Sequence, residues 1–428
     1  MKFPPTIASS IHRKRSGDQA PAYGREPRPL PLRWLRTPRI ALGVAVLAAG
    51  ITAGTLLSLS MVAASPAPSP AVSASAASAV RAARAAGTAP QLRVVGNKLI
   101  SADGQQVMLH GVDRSGAEYE CVQRHRIFDG PTSHASIKVM KSYGINAVRI
   151  PLNEACWNGE SYVKPAVAGG RYQAAVKAYV QRLNAVGMDV ILDLHWTDGK
   201  YTGPASACST AEATCQKPMP DAAESVRFWT SVATTFKGDD AVIFDLFNEP
   251  YPEQAAHGNP AEGWNCWLHG GADCAGLSYQ AAGMQDLVNA VRSAGATNVL
   301  MLGGLEWSND LSGWLSHEPA DPDHNLAASW HSYNFNACST QACWTSQIAP
   351  VLAKVPVIAG EIGENDCSAG YVTPLTRWLN SEGASYLAWT WNADFNCWSG
   401  PGLITGYNGR PTNYGAGYEA ALQNAPAH

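Results

Sequence analysis

The sequence predicts an α/β fold, a (β/α)8 TIM barrel with disulfide-bridged loops, formed as a single domain by the chain after residue 90. Three observations lead to this prediction. Short apolar runs alternate with amphipathic stretches, as they do in successive βαβ units. The runs are nearly continuous in Val, Ile and Leu, which is typical of strands buried on both faces. Eight such runs fit into the length of one barrel domain.

The elements follow in a regular order. A small hairpin is predicted over residues 92–101, before the Asp103-Gly104 turn. Eight predicted strands come next, at residues 107–113, 147–151, 190–195, 242–248, 298–303, 328–332, 357–361 and 385–391. Apolar residues at helical spacing predict helices between them, at residues 172–186, 221–236, 277–294, 344–354 and 373–380. Asp221, with Glu224 three residues later, is the predicted N-cap of the second helix.

The first 90 residues carry no core pattern. Residues 1–39 are basic, with nine Lys/Arg against two Asp/Glu, and residues 40–64 are uncharged and largely apolar. This order is typical of an export signal, and 25 residues are also enough to anchor a chain in a bilayer. Cleavage near residues 62–64 would give a secreted, extracellular protein, whereas retention would attach it to a membrane. Residues 65–90, rich in Ala, Pro and Ser, are predicted to be a disordered linker, and residues 91–428 the folded domain.

Charge and cysteine usage restrict the partners. The whole chain has a net charge of −3 and residues 1–39 carry +7, so residues 40–428 carry −10. An acidic domain of this kind offers no electrostatic footprint for nucleic acid. The even cysteine count indicates disulfides made in an oxidising compartment, and the absence of a Cys-x2-Cys pair argues against a zinc site. Nothing in the sequence requires assembly, so we expect a monomer.

Two glutamates stand out because each follows an apolar run. Glu249 comes after the fourth predicted strand and Glu361 ends the seventh. The strands of a parallel barrel all end at one rim, where such side chains can meet. Two facing carboxyl groups can cleave a glycosidic bond, one acting as acid/base and the other as nucleophile. In that interpretation Glu249 is protonated and Glu361 is ionised.

Further polar side chains follow successive predicted strands. They are Arg149, His195, Asn248, His331 and Tyr333. We expect Arg149 and Tyr333 to hydrogen-bond Glu361, and Asn248 to hold a ring hydroxyl of the sugar. The two histidines are expected to position substrate hydroxyls or Glu249. Each of these residues alone is more often structural, and it is their coincidence at one rim that indicates a site.

Tryptophans indicate the same chemistry. Thirteen of the fourteen lie in the predicted folded part, several of them at strand ends or in loops. Indole faces stack on the C–H faces of sugar rings. Trp196 and Trp391 are the predicted sugar platforms, whereas Trp378, on a predicted helix, is expected to be in the core.

Together these motifs resemble glycoside hydrolase family 5, the cellulase-type retaining hydrolases. The resemblance covers residues 92–424 and rests on Val148-Arg149-Ile150-Pro151, Asp193-Leu194-His195-Trp196, Phe247-Asn248-Glu249-Pro250, His331-Ser332-Tyr333, Gly360-Glu361 and Trp391-Asn392. It implies a (β/α)8 fold with Glu249 as acid/base and Glu361 as nucleophile. It also implies supporting roles for Arg149, His195, Asn248, His331, Tyr333 and Trp391. Many members have Asn where this chain has Asp113, so we expect the subsite there to differ.

The cysteines suit loops around the rim of such a barrel. Three pairs are close in sequence within one loop each, and two pairs follow neighbouring strands. The predicted bridges are Cys208–Cys215, Cys266–Cys274, Cys338–Cys343, Cys121–Cys156 and Cys367–Cys397. Such bridges would hold mobile loops near the site.

The predicted function is a retaining glycoside hydrolase that acts on a β-linked polysaccharide or oligosaccharide without a cofactor or metal. An endo-β-1,4-glucanase (cellulase) is the first expectation. A β-mannanase and an exo-acting β-glycosidase are alternatives, and insertions at residues 197–220 and 251–276 would favour exo action if they wall off a groove.

Two other classes remain open. A metal-dependent barrel enzyme would use as ligands His195, Glu249, His331 and Glu361. A non-catalytic carbohydrate-binding barrel would need the tryptophans but not the glutamates.

Overall fold

Eight parallel strands close into a barrel in the computed structural model, which describes residues 87–398 and 400–426. An antiparallel hairpin, β1 (Leu92–Val95) and β2 (Lys98–Ser101), precedes the barrel. The barrel strands are β3 (His110–Asp113), β4 (Ala147–Asn153), β5 (Asp189–Trp196), β6 (Val242–Asp245), β7 (Leu300–Gly303), β8 (Leu326–Tyr333), β9 (Val357–Gly363) and β10 (Ser385–Ala388). Each pairs with the next, and β10 pairs with β3 to close the ring. The predicted (β/α)8 barrel is confirmed.

Helices connect the strands. The longer ones are His134–Ser142, Gly170–Asn184, Ser225–Phe236, Pro260–His269, Met284–Ser293, Val372–Glu382 and Asn413–Gln423. Shorter helices are Glu120–Gln123, Glu154–Asn158, Pro252–Ala255, Leu305–Ser308, Gln341–Cys343 and Ala349–Leu352. Single 3-10 turns lie at Pro165–Val167, Gly271–Asp273 and Trp314–Ser316, and a π-helical turn at Trp344–Ile348.

Two helix starts differ from the sequence prediction by four residues or more. The helix expected from residue 277 begins at Met284, because Ala281 and Ala282 form bridges with Asp221 and Gly270 instead. The helix expected from residue 221 begins at Ser225. Asp221 still acts locally, since its Oδ1 accepts the backbone N–H groups of two residues in the turn before that helix.

Strand alternation divides the barrel interior into an apolar layer and a polar layer. On β5, Ile191 packs in the interior cluster while Leu192 packs outward against the helices. The hairpin residues Leu92 and Leu99 join the same interior cluster, so they close the end at which the strands begin. The next inward positions toward the strand ends are polar, Asp193 on β5 and Asp245 on β6, paired in register. Chemistry-bearing side chains therefore collect at the end at which the strands terminate.

All five predicted disulfides are confirmed. The structure pairs all ten cysteines as Cys121–Cys156, Cys208–Cys215, Cys266–Cys274, Cys338–Cys343 and Cys367–Cys397. Three of these bridges close loops of five to eight residues in sequence separation, and two link loops that follow adjacent strands.

The N-terminal predictions fall mostly outside the described residues. These are the basic segment 1–39, the signal or anchor 40–64 and the linker 65–90 up to residue 86. Ala89 is buried, and its N–H donates to the backbone carbonyl of Asn184, so the folded part starts slightly before the predicted residue 91. Among the described residues, none of the helices combines the length and the hydropathy that crossing a membrane requires.

The hairpin gives a stability prediction. Leu99 is 3% exposed inside the barrel end, whereas Val95 on the same hairpin is 46% exposed. We expect Leu99→Ala to lower the free energy of unfolding by about 2–5 kcal/mol, because it leaves a cavity. Val95→Ala, the matched control, should change it by about 0.5 kcal/mol or less. Urea unfolding of both variants measures this, and equal losses would contradict the assigned packing.

Candidate active site

Arg149 lies at the centre of the polar layer. It is fully buried near the middle of β4, and its guanidinium contacts five side chains. The contacts are Asp113 Oδ1 at 2.9 Å, Glu361 Oε1 at 2.8 Å, Asp245 Oδ2 at 2.9 Å, Asn248 Oδ1 at 2.9 Å and Asp193 Oδ2 at 3.1 Å. The rigid fork of donors on an arginine suits such planar recognition of several carboxylates at once.

One cation faces four carboxyl groups here, so not all four can be ionised at low cost. Burial raises the pKa of Asp113 and of Asp245 well above the ordinary range, and raises that of Asp193 to about 7. Burial opposes the charge on Arg149, but the surrounding carboxylates outweigh it and raise its pKa. The raised pKa values keep Arg149 charged and favour the protonated form of the aspartates.

Asp113, at the position of the expected departure, is fully buried. Its side chain is 0% exposed, and Oδ1 accepts a hydrogen bond from Arg149. Burial raises the pKa of this carboxyl well above its ordinary value, which favours the neutral form, the form closer to the amide that the family pattern has here.

Glu361 receives two donors. Arg149 donates to Oε1 at 2.8 Å, and the Tyr333 hydroxyl donates to Oε2 at 2.6 Å. Burial, and next the charge of Glu361, raise the pKa of Tyr333 well above its usual value, so the phenol keeps the proton that it donates. A charged donor and a neutral donor together stabilise negative charge on the Glu361 carboxylate.

Glu249 has a different environment. Its side chain is 21% exposed, and Oε1 lies 3.1 Å from Nδ1 of His331. Burial and then the negative charge of Glu361 raise the pKa of Glu249 well above its ordinary value. Burial, followed by the Arg149 charge, lowers the pKa of His331, so this imidazole is neutral. Glu249 is therefore the protonated member of the pair.

The two glutamates are close together. One oxygen of Glu249, one oxygen of Glu361 and one ring nitrogen of His331 lie within 4.8 Å of one another. Carboxyl groups about 5–5.5 Å apart permit direct attack on a sugar, whereas about 6.5–9.5 Å leaves room for a water. The strand register brings His331 and Glu361 side by side, because His331 on β8 pairs with Glu361 on β9. The absence of a side chain at Gly360 leaves room for the His331 ring, since a Cβ there would lie 3.2 Å from that ring.

The same three residues form a group that could hold a metal ion. Their existing contacts fit a cation poorly. Both oxygens of Glu361 already accept hydrogen bonds, and one donor is the Arg149 cation at 2.8 Å. The predicted fourth ligand, His195, is engaged elsewhere, with Nδ1 2.6 Å from Asp193 Oδ2.

His195 and its neighbour reveal an aromatic that sequence reasoning missed. Burial lowers the pKa of His195 to about 3, so the ring is neutral, and its Nδ1 shares a hydrogen bond of 2.6 Å with Asp193 Oδ2. Its other contact is Trp389, with ring centroids 5.4 Å apart and planes at 10°. Leu387 points into the barrel, so Trp389 is the next inward position of the same strand run. The alternation of inward and outward side chains along this run was the signal by which Trp389 could have been found from the sequence.

The predicted platforms Trp391 and Trp196 are not brought to this site by their contacts. Trp391 is 1% exposed and meets Tyr143 edge-on at 4.9 Å. Trp196 is 4% exposed, with its ring 6.5 Å from that of Tyr119. Trp391 lies three residues beyond Ala388, the last residue of β10. Trp378 lies in the core, as expected.

Aromatic surface near the nucleophile comes from another residue. Phe335 is 49% exposed and stacks on Tyr333, with centroids 5.1 Å apart and planes at 18°. Trp398, after the last barrel strand, is 76% exposed. Trp307 stacks on Tyr251 at 4.9 Å. Apart from its position two residues after Tyr333, Phe335 carries no local signal in the sequence.

The two insertions, residues 197–220 and 251–276, pack against each other. Tyr201 and Tyr251 have ring centroids 6.3 Å apart, and the backbone N–H of Tyr251 donates to the carbonyl of Pro218. Gln216 in the first insertion donates to the backbone carbonyl of Glu249 at 3.1 Å. The insertions thus form one unit on the Glu249 side of the barrel mouth.

Comparisons with known proteins agree with this architecture. A mannan endo-1,4-beta-mannosidase from Cellvibrio japonicus is 24% identical over 75% of this chain, which spans 64% of that protein's length. A manganese dependent endoglucanase Eg5A from Phanerodontia chrysosporium is 28% identical over 39% of this chain and 35% of its own. The solved beta-glucanase of Saccharophagus degradans in complex with cellotetraose has 19% identity and a TM-score of 0.60, covering 79% of this chain and 95% of that one.

A family model supplies the assignment. The model described as Cellulase (glycosyl hydrolase family 5) matches residues 100–395, well over half of the chain. Those residues include the whole cluster around Arg149, from Asp113 to Glu361. The chain therefore belongs to glycosyl hydrolase family 5.

Proposed function

We propose that this protein is a retaining glycoside hydrolase that cleaves β-linked glycans by double displacement. The observation that carries the proposal is the pair Glu249 and Glu361, with oxygens within 4.8 Å of each other in opposite electrostatic environments. Proximity alone would suit a structural pair. The combination of a raised pKa on Glu249 and two donors on Glu361 suits an acid beside a nucleophile.

In the first step, a carboxylate oxygen of Glu361 attacks the anomeric carbon, and the bond to the leaving oxygen breaks. Glu249 gives its proton to that oxygen, so the leaving sugar departs neutral. The products of this step are a glycosyl ester on Glu361 and an ionised Glu249.

In the second step, Glu249 takes a proton from water, and the hydroxide attacks the anomeric carbon of the ester. The C–O bond to Glu361 breaks, which restores both carboxyl groups. Two inversions leave the anomeric configuration unchanged. When Glu361 becomes a carboxylate again, the hydrogen bonds that Arg149 and Tyr333 donate to it stabilise its negative charge.

Substrate positioning follows from the residues around this pair. Asn248 is placed to hold the ring hydroxyl next to the anomeric carbon, and Trp389 to stack on the sugar beside His195. Phe335 extends aromatic surface outward from Tyr333. We propose a polysaccharide or oligosaccharide as the partner, and a protein that acts as a monomer without a cofactor or metal.

For the substrate we propose a β-1,4-glucan cleaved internally. Exposed rings at residues 335 and 398 suit a chain longer than one or two sugars, and one similar structure is a beta-glucanase with bound cellotetraose. A β-mannanase is the second candidate, favoured by the similarity to the Cellvibrio japonicus mannosidase. Exo action would require the unit formed by the two insertions to close one end of the groove. We also propose secretion through the segment 40–64, with membrane attachment as the alternative if that segment is retained.

Loss of the nucleophile tests the mechanism. We expect Glu361→Gln to lower kcat by at least about 10³-fold, because no carboxylate remains to form the ester. Glu382→Gln, an exposed position on the helix Val372–Glu382, is the matched control and should be unchanged. NMR of the wild-type reaction should show the β anomer as the first product. An inverted first product, or wild-type turnover by Glu361→Gln, refutes double displacement.

Titration of Glu249 gives a pH prediction. The acid role needs the proton, so kcat/KM should be full below the raised pKa of Glu249 and fall as pH rises through it. The Glu249→Gln variant can be assayed on a dinitrophenyl glycoside, whose leaving group needs no proton, and its kcat/KM should not fall at high pH. The Asp193→Asn variant should keep the fall at high pH. The two variants thus distinguish Glu249 from Asp193, whose pKa is raised to about 7. A basic limb that survives in Glu249→Gln would remove Glu249 as the acid.

A substrate panel tests the specificity of the enzyme, and the same assays with a chelator test its metal dependence. Soluble β-1,4-glucan should be cleaved faster than β-1,4-mannan, with mixed oligosaccharides released early. A chelator such as EDTA, with or without added Mn²⁺, should not change the rate, because Arg149 already occupies the charge position next to Glu361. Faster mannan hydrolysis would favour the second candidate. Uniform short products would favour exo action, and loss of activity on chelation would favour a metal-dependent enzyme.

A further inference from the structure

Gln216 has an unusual set of contacts for a loop residue. It is half-buried in the insertion between β5 and the helix Ser225–Phe236. Its Oε1 accepts a hydrogen bond from Nδ2 of Asn248 at 3.0 Å. Its Nε2 donates to the backbone carbonyls of Lys217 at 2.9 Å and Glu249 at 3.1 Å. The side chain thus contacts both residues of the Asn-Glu pair, one through its side chain and one through its backbone.

These contacts determine how the Gln216 amide is turned. Nε2 faces two carbonyl oxygens, which only accept hydrogen bonds, so the N–H₂ end must lie on that side. The carbonyl oxygen of the amide must then face Asn248. Rotating the amide by half a turn would place oxygen against two oxygens and leave them without donors.

The orientation of the Gln216 amide determines the orientation of the Asn248 amide. With an acceptor on one side and the Arg149 guanidinium on the other, Nδ2 faces Gln216 and Oδ1 faces Arg149, at 3.0 and 2.9 Å. The opposite orientation would set Nδ2 against a cation and Oδ1 against an oxygen. A side-chain amide has two N–H donors. One is used by Gln216, and the second has no partner among the described residues and remains for a ligand.

The chain on both sides of Gln216 is held in place. Cys215 immediately before it is bonded to Cys208. Lys217 immediately after it is 1% exposed, and its Nζ donates to the backbone carbonyl of Thr210 at 2.7 Å. The Cys208–Cys215 loop is therefore anchored at the point at which Gln216 meets Asn248. A flexible loop could not fix an amide in this way without a larger loss of conformational entropy.

We propose that Gln216 is a positioning residue that aims the second N–H of Asn248 at the hydroxyl on the carbon next to the anomeric carbon. This inference rests on the proposed function. Hydrogen bonds to the 2-hydroxyl strengthen as the ring develops oxocarbenium character, so their direction affects the transition state more than the bound ground state. Gln216 then acts on kcat through Asn248 and not by touching the sugar.

A pair of substrates isolates this role. They are dinitrophenyl β-cellobioside and its analogue that lacks the 2-hydroxyl on the sugar bearing the leaving group. On the first, Gln216→Leu should lower kcat roughly tenfold, the value of one neutral hydrogen bond of about 1.4 kcal/mol, with little change in KM. On the 2-deoxy analogue, the same variant should match the wild type within about twofold, because no hydroxyl remains for Asn248 to hold.

Further variants keep the test decisive if Gln216→Leu folds poorly. Gln216→Met keeps the length of the side chain but removes both its acceptor and its donor, so it should show the same loss as Gln216→Leu on the 2-hydroxyl substrate and none on the 2-deoxy analogue. In an Asn248→Ala background, Gln216→Ala should cause no further loss on the 2-hydroxyl substrate. Thermal unfolding of each variant serves as the control for folding.

The outcomes separate the two proposals. Equal loss on both substrates means that Gln216 only supports the structure of the loop, and an unchanged kcat means that it does not act on Asn248; either result overturns the inference. If the wild-type protein cleaves neither substrate and no β-glycan, the proposed function fails first.

Discussion

The buried guanidinium of Arg149 is the interaction on which the site depends. It is surrounded by Asp113, Asp193, Asp245 and Glu361 and also holds the amide of Asn248. Removing one partner from such a cluster leaves uncompensated charge, so its members stabilise each other's positions. One cation cannot neutralise four carboxylates and Glu249 as well. Burial raises the pKa of the aspartates and of Glu249, whereas Glu361 accepts hydrogen bonds from Arg149 and Tyr333, so an acid and a carboxylate lie side by side.

Much of this arrangement was predictable from the sequence because period-two alternation and strand ends determine where side chains point. Arg149, His331, Tyr333 and Glu361 lie on the barrel strands β4, β8 and β9, and the structure brings them together as strand counting suggests. The five disulfides were predictable because short loops and adjacent strands leave few partners. The (β/α)8 barrel followed from eight apolar runs of similar length.

Other features depend on three-dimensional contacts that have no local signature. Trp391 and Trp196 were predicted as platforms, whereas the ring that stacks on His195 is that of Trp389. The aspartates around Arg149 lie on three strands that are far apart in sequence, β3, β5 and β6, and the closed barrel brings them into one charge network. Gln216 lies 32 residues from Asn248, in an insertion with no strand or helix pattern to predict the contact. The helix expected from residue 277 was shortened by bridges to distant residues, which local periodicity does not encode.

Double displacement requires that Glu361 bond covalently to the sugar while Arg149 and Tyr333 hold it. The most direct measurement is mass spectrometry of the protein after reaction with a 2-deoxy-2-fluoro β-cellobiosyl fluoride, which slows breakdown of the ester more than its formation. We expect a mass increase of one 2-deoxy-2-fluorocellobiosyl unit, located by peptide mapping on Glu361. An active enzyme that gives no adduct, or an adduct located on Glu249, would contradict double displacement through Glu361.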